Sequence, residues 1–161
     1  MSLINYITQI QFDFGAIEKL PGECARIGIK RPLIVTDAGV KAAGIIDKVL
    51  VALQAGNEPP IFLDTPSNPN ERAVRAAVEM YNQNQCDGVI AVGGGSSIDL
   101  AKGVAVCATH EGPLRQFALI EGGLQRITSV TAPVIAVPTT AGTGSEVGRG
   151  AILILRSEST R

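Results

Sequence analysis

Residues 88–97 read Gly88-Val89-Ile90-Ala91-Val92-Gly93-Gly94-Gly95-Ser96-Ser97, and Ile98, Ala101, Ala105 and Ala108 follow at helical spacing. A short apolar run rich in β-branched residues is the pattern of a strand buried on both faces. The four later residues share one stripe of a helix. Strand, glycine turn and helix succeed one another with no residue to spare. Consecutive glycines let the backbone take positive φ and approach a ligand with no Cβ in the way. The helix after them aims free N–H groups and the positive end of its dipole at the same point. A pyrophosphate fits that environment. The competing reading is a tight strand–helix turn with Ser96 or Ser97 as N-cap. The run is not a GxGxxG fingerprint, because Ile98 stands where the third glycine is required, and it lacks the Gly-Lys-Ser/Thr of a Walker loop.

The pattern repeats outward from this unit. Leu33-Ile34-Val35-Thr36 reads as a buried parallel strand ending at Asp37, followed by a helical stretch from about Val40 to Ala55. Pro60-Ile61-Phe62-Leu63 reads as the next strand. Asn68-Pro69-Asn70-Glu71 then reads as a helix start, with Asn68 as N-cap, Pro69 first in the helix and Glu71 the capping-box partner. Val74, Ala77, Val78 and Tyr81 give that helix one apolar face. Pro133-Val134-Ile135-Ala136-Val137 is a further strand, running into Pro138-Thr139-Thr140, and Ala151 to Leu155 is a last apolar run. Residues Ile7 to Phe14 alternate in part, as a hairpin or edge strand does. Strands alternating with helices predict a doubly wound α/β domain with a parallel sheet. Ligands of such sheets lie beyond the carboxyl ends of the strands. Asp37, Asn68, Gly93–Ser97 and Thr139–Thr140 all come after predicted strands.

Each of these residues has a functional and a purely structural reading. Asp37 at a strand end suits both hydroxyls of an adenosine ribose and opposes a 2′-phosphate, favouring NAD over NADP; it suits a helix N-cap equally. Asn68 has the same two readings, with the capping pattern favouring the structural one. Thr139-Thr140-Ala141-Gly142-Thr143-Gly144-Ser145-Glu146 supplies hydroxyls and backbone donors for a phosphate or ribose, or else forms a capped turn. Asp99 and Lys102 are three apart on one helix, the spacing of a weak surface pair. His110, the single histidine, sits in the polar run Thr109-His110-Glu111-Gly112 and reads as a solvated loop residue. No Cys/His or Asp/His cluster has metal-ligand spacing, and no nucleophile elbow is present.

Composition narrows the class. The chain has 161 residues, with 14 Lys+Arg against 15 Asp+Glu, and no basic patch that suits a nucleic acid. Aromatics make up 4%, without Trp, so aliphatic strands and Ala-rich helices must build the core. Apolar runs are strand-length, far below a membrane span, and Met1-Ser2-Leu3-Ile4-Asn5 lacks the pattern of a signal peptide. Cys24, Cys86 and Cys107 are odd in number, without CxxC spacing, and read as free core thiols of a reducing compartment; a cytoplasmic location is expected.

Taken together, these segments resemble a known family. Gly93-Gly94-Gly95-Ser96-Ser97-Ile98-Asp99-Leu100-Ala101-Lys102 resembles the GGGSxxDxAK motif of group III, iron-type alcohol dehydrogenases. Pro138-Thr139-Thr140-Ala141-Gly142-Thr143-Gly144-Ser145-Glu146-Val147 resembles their PTTAGTGSEV motif. Leu33–Asp37 and Pro66-Ser67-Asn68-Pro69 match two further segments in the family's order, so the likeness covers about residues 10 to 155. It implies a Rossmann-like N-terminal domain of the dehydroquinate synthase-like fold, binding NAD(P). It also implies an all-helical C-terminal domain holding Fe2+ or Zn2+, an alcohol, aldehyde or ketone substrate, and a homodimer. By position, Asp37 resembles the ribose-binding acid and Asn68 a cofactor-contacting Asn. Gly94, Gly95 and Ser96 resemble the pyrophosphate loop with Asp99 beside it, and Thr139, Thr140 and Thr143 the second cofactor loop.

Two departures stand out. Gly148 and Gly150 replace a Thr and an aromatic that the family usually places near the nicotinamide, and Arg156–Arg161 does not resemble the family's continuation. The family's metal ligands, an Asp and typically three His, fall beyond residue 161. The expectation is therefore that residues 1–161 form the cofactor-binding half alone, with no catalytic or metal residue and no turnover by themselves. A stand-alone nucleotide-binding module and a glycerol dehydrogenase, dehydroquinate synthase or maleylacetate reductase-like relative remain the alternatives.

Overall fold

The computed structural model describes residues 8–54 and 58–155. Four strands form one sheet, β1 (Pro32–Val35), β2 (Ile61–Phe62), β3 (Gly88–Gly93) and β4 (Val134–Pro138), in the order β2-β1-β3-β4. Every pairing is parallel, with Ile34 opposite Ile61 and Ile90, and Ala91 opposite Ala136. Parallel neighbours need crossovers, and helices supply them: α1 (Leu20–Ile27), α2 (Ala38–Ala42), α3 (Ile45–Leu53), α4 (Glu71–Gln83) and α5 (Gly95–Cys107).

Alternation along the strands divides the core between the two faces. Leu33, Val35, Val89 and Ala91 pack with Val74, Ala77, Ile98, Ala101 and Val104 of α4 and α5. Ile34, Ile90 and Val92 point the other way, against Leu20, Cys24, Ile46 and Val49 of α1 and α3. Helices on both faces of a parallel sheet make the doubly wound α/β domain that the sequence pattern predicts. Residues Val89–Val92 are fully buried, as a central strand between two helical layers must be.

Several local expectations are corrected. Residues 8–14 form no strand, and Phe12 and Phe14 stand exposed; Ile7 lies outside the described residues. The helical stretch after Asp37 is broken into α2 and α3 at Gly44, whose φ of 71° ends one helix and starts the next; Ala55 lies outside the described residues. Asn70 caps α4 in place of Asn68, accepting from the Ala73 N–H at 3.0 Å. Pro69 is instead committed to a bridge, its carbonyl accepting from Ile154 N–H at 2.8 Å. Among residues 151–155 the only β-pairing is an isolated bridge of Ile154 with Asn70.

His110 is not a solvated loop residue. Its Nδ1 lies 3.0 Å from the Val106 carbonyl and its Nε2 accepts from the Thr128 N–H at 3.0 Å. Its ring meets Phe117 edge-on with centroids 5.4 Å apart. It joins the end of α5 to residues 114–128, a run of short 3-10 turns. The three cysteines are free and buried. Burial is the main cause that raises each thiol pKa, with Cys86 reaching about 11, helped by the neighbouring Asp87 carboxylate.

Candidate functional site: the strand ends around the first turn of α5

β3 leaves the sheet through Gly93, whose φ is 152°. A Cβ there would sit 2.5 Å from Ser97 Oγ, so a side chain is excluded by both torsion and space. Gly94 and Gly95 do not have positive φ, contrary to what the triplet suggests; Gly94 is instead crowded by the second loop, which Gly95 meets at ordinary contact distance. A Cβ on Gly94 would lie 3.1 Å from Thr140 Oγ1, and one on Gly95 3.4 Å from the Cβ of Thr143. The second loop thus rests on the first.

Gly94 is the N-cap of α5 and offers no side-chain cap, so neither Ser96 nor Ser97 plays the capping role. α2 and α4, by contrast, are closed by Asp37 and Asn70. The first N–H groups of a 13-residue helix therefore face the cleft without a side-chain acceptor. Ser96 Oγ donates to the Ser67 carbonyl at 2.6 Å, fixing this turn against the segment after β2. A cleft of about 240 Å³ opens here, lined by Ser67, Asn68, Gly95, Ser96, Asp99 and Ile152 among others.

Asp37 takes the capping role and keeps its second carboxylate oxygen outside that cap. Its Oδ1 accepts from Val40 N–H at 3.0 Å and caps α2, while Oδ2 lies 3.5 Å from Ser97 Oγ and retains free lone pairs at the sheet edge. Asn68 is exposed on the cleft wall. Thr139 continues the β4 ladder, donating its N–H to the Gly93 carbonyl at 2.9 Å, so its place beside the glycine loop is set by the backbone. Thr143 Oγ1 donates to Glu146 Oε2 at 3.0 Å and accepts from Ser145 N–H at 3.3 Å, tightening its own turn.

Asp99 and Lys102 are not a weak surface pair. Both side chains are mostly buried. Asp99 accepts from Ser145 Oγ and, at 3.0 Å, from Ile152 N–H. Lys102 Nζ donates to the carbonyls of Ser145 and Gly150, each at 2.7 Å. Lys102 and Ser145 are the site residues that sequence reading passed over. Among the described residues no group of three or more His, Cys, Asp or Glu is placed to hold a metal, and no helix is long and apolar enough to cross a membrane.

The glycine turn, Asp37 and the loop after β4 meet at the carboxyl ends of the strands of a doubly wound sheet. The model of the iron-containing alcohol dehydrogenases matches residues 8–161, a span that includes Arg156–Arg161. The chain belongs to that family. It is 59% identical over 155 residues to a 4-hydroxybutyrate dehydrogenase of Cupriavidus necator, covering 96% of this chain and 40% of that protein. It is 41% identical to a 1,3-propanediol dehydrogenase of Klebsiella pneumoniae over 145 residues, covering 88% of this chain and 36% of the relative. The solved structure of a 1,3-propanediol oxidoreductase superposes with a TM-score of 0.75 at 34% identity, over 87% of this chain and 41% of that one. The chain thus spans about two fifths of the length of these relatives.

Proposed function

We propose that residues 1–161 form the NAD-binding domain of an alcohol dehydrogenase that oxidises the primary hydroxyl of a short ω-hydroxy acid, 4-hydroxybutyrate being the model substrate. The single observation that carries the reading is the uncapped first turn of α5, with Asp37 Oδ2 beside Ser97 Oγ on one side and Thr140 and Thr143 against Gly94 and Gly95 on the other. Helix N–H groups and the dipole stabilise a pyrophosphate there. Asp37 Oδ2 accepts from the adenosine ribose hydroxyls and repels a 2′-phosphate. Asn68 and Ser96 line the cleft at this turn, while Thr140 and Thr143 lie against Gly94 and Gly95 and Thr139 is bonded to Gly93.

Bound NAD would supply a hydride acceptor for the alcohol carbon. The residues of this chain bind the cofactor and fix its direction across the sheet edge. Asp99, with its lone pairs occupied and Lys102 beside it, presents little unbalanced negative charge to the pyrophosphate. The reading concerns cofactor binding alone, since the chain spans about two fifths of the length of its relatives. Calorimetric titration of the protein with NAD and NADP tests the proposal. NAD should bind and NADP at least tenfold more weakly, a difference of about 1.4 kcal/mol. Folded protein that binds neither would refute it.

A further inference from the structure

We infer that Lys102 is a positioning residue for the nicotinamide half of the cofactor: its ammonium ties residues 145–150 to α5 and sets where that half lies. The inference rests on the cofactor reading above and adds a residue and a division of labour to it.

Lys102 lies two turns along α5 from the first helical residue, Gly95, so it is placed to touch the chain beside the glycine loop. Its Nζ reaches two backbone carbonyls, Ser145 and Gly150, each at 2.7 Å, with Ser145 Oγ at 3.1 Å and Asp99 Oδ1 at 3.4 Å. An ammonium has three protons, and here they are spent on oxygens that come mostly from one segment. Asp99 completes the clamp by accepting from Ser145 Oγ and from Ile152 N–H. Among the described residues, every hydrogen bond that reaches residues 149–153 comes from Lys102 or Asp99. The segment has little stiffness of its own. Gly148 precedes it and Gly150 lies in it, and a Cβ at Gly150 would meet nothing within 4 Å. The segment's far end is held by the Ile154 bridge to Asn70 and by Leu153 against the core, and its near end, beside the glycine loop, by the clamp.

The order of the sheet says which part of a ligand this affects. β1 and β4 flank β3 on opposite sides. A dinucleotide whose pyrophosphate sits on the first turn of α5, and whose adenosine meets Asp37 after β1, extends its other half over the end of β4. Residues 139–152 lie there. Freeing this segment weakens the nicotinamide riboside's contacts and leaves those of the adenosine diphosphate intact. A buried ammonium whose role was stability alone would weaken both alike.

The test compares NAD with ADP, which keeps the adenosine and the two phosphates. In Lys102→Met the apolar stem remains and the ammonium is lost. Calorimetry on the purified protein is expected to show NAD affinity down on the order of tenfold and ADP affinity within about twofold of the unaltered protein. Equal losses for the two ligands, or no loss for either, overturn the inference. Should Lys102→Met fail to fold by circular dichroism, Ser145→Ala removes one tether and keeps the ammonium. It should lower NAD affinity about threefold with ADP unchanged, and equal change in both overturns the inference. Unaltered protein that binds neither ligand refutes the cofactor reading itself, a result distinct from either variant's failure.

Discussion

The loop after β3 and the loop after β4 open at the same edge of the sheet, yet they are held in opposite ways. Gly93 and Ser97 are buried, and the α5 turn between them is continuous with the core through Ile98 and Leu100. Residues 138–144 are exposed throughout, and the chain beyond them is moored by Ser145, Lys102 and Asp99. One wall of the crevice is framework and the other is tethered chain. Damage to the first should act through the fold, and damage to the second through ligand affinity at nearly unchanged stability.

The largest effect should come from Gly93→Val. The φ of 152° and the close Ser97 Oγ leave no room for a β-branched residue. Strain of this kind costs roughly 1–3 kcal/mol, and the steric clash adds to it. Thermal unfolding should show a marked fall in Tm, and NAD binding should be lost with it. Next in size is Asp37→Gly, which removes the charge that opposes a 2′-phosphate. Relative NADP affinity should rise about tenfold, while the lost cap costs only a few tenths of a kcal/mol. An unchanged NAD:NADP ratio by calorimetry would mean that Asp37 is a cap and nothing more. On the tethered side, Thr143→Ala removes the hydroxyl that joins Glu146 and Ser145 N–H. NAD affinity should fall about threefold, with unfolding changed by less than about 1 kcal/mol. If stability fell as far as in Gly93→Val, the contrast between the walls would be wrong.

The smallest expected effect lies in the thiols of the framework. Cys86, just before β3, has a pKa raised to about 11 from an ordinary 9.0. A raised folded-state pKa means that the native state holds its proton longer than the unfolded chain does. This contribution is complete below pH 9 and is lost as pH climbs through about 11. Alkylation of the native protein at pH 8 should be slow at Cys24, Cys86 and Cys107, and fast in denaturant. Rapid labelling of any of the three in the native state would show that part of the framework to be open.

The sequence exposes the framework and hides the tethers, for a physical reason. A strand buried on both faces has to be apolar at every position, so Leu33–Val35 and Val89–Val92 can be read locally. The stripe of α4 comes from helical period in the same way, since Val74, Ala77 and Tyr81 do face the core. The choice of the α4 N-cap is not local. Asn68 and Asn70 both suit a cap, and Pro69 pairing with Ile154, far along the chain, decides between them. Asp99 and Lys102 look like a surface pair because their partners, Ser145 and Ile152, lie 43 to 53 residues away. His110 gains its linking role from Thr128 in the same manner. The motif residues gather at the carboxyl ends of the strands, but the reason for three successive glycines differs at each. Gly93 is required by its torsion and its close Ser97, Gly94 is crowded by Thr140, and at Gly95 a Cβ would only touch Thr143 at ordinary contact distance.

The central claim is that the open first turn of α5 receives a pyrophosphate. Amide resonances report this most directly. Titration of 15N-labelled protein with NAD should produce its largest amide shifts at Gly95, Ser96 and Ser97, because their N–H groups gain an anionic acceptor. Saturable NAD binding that leaves these three amides unmoved, with the shifts confined elsewhere, would contradict the account.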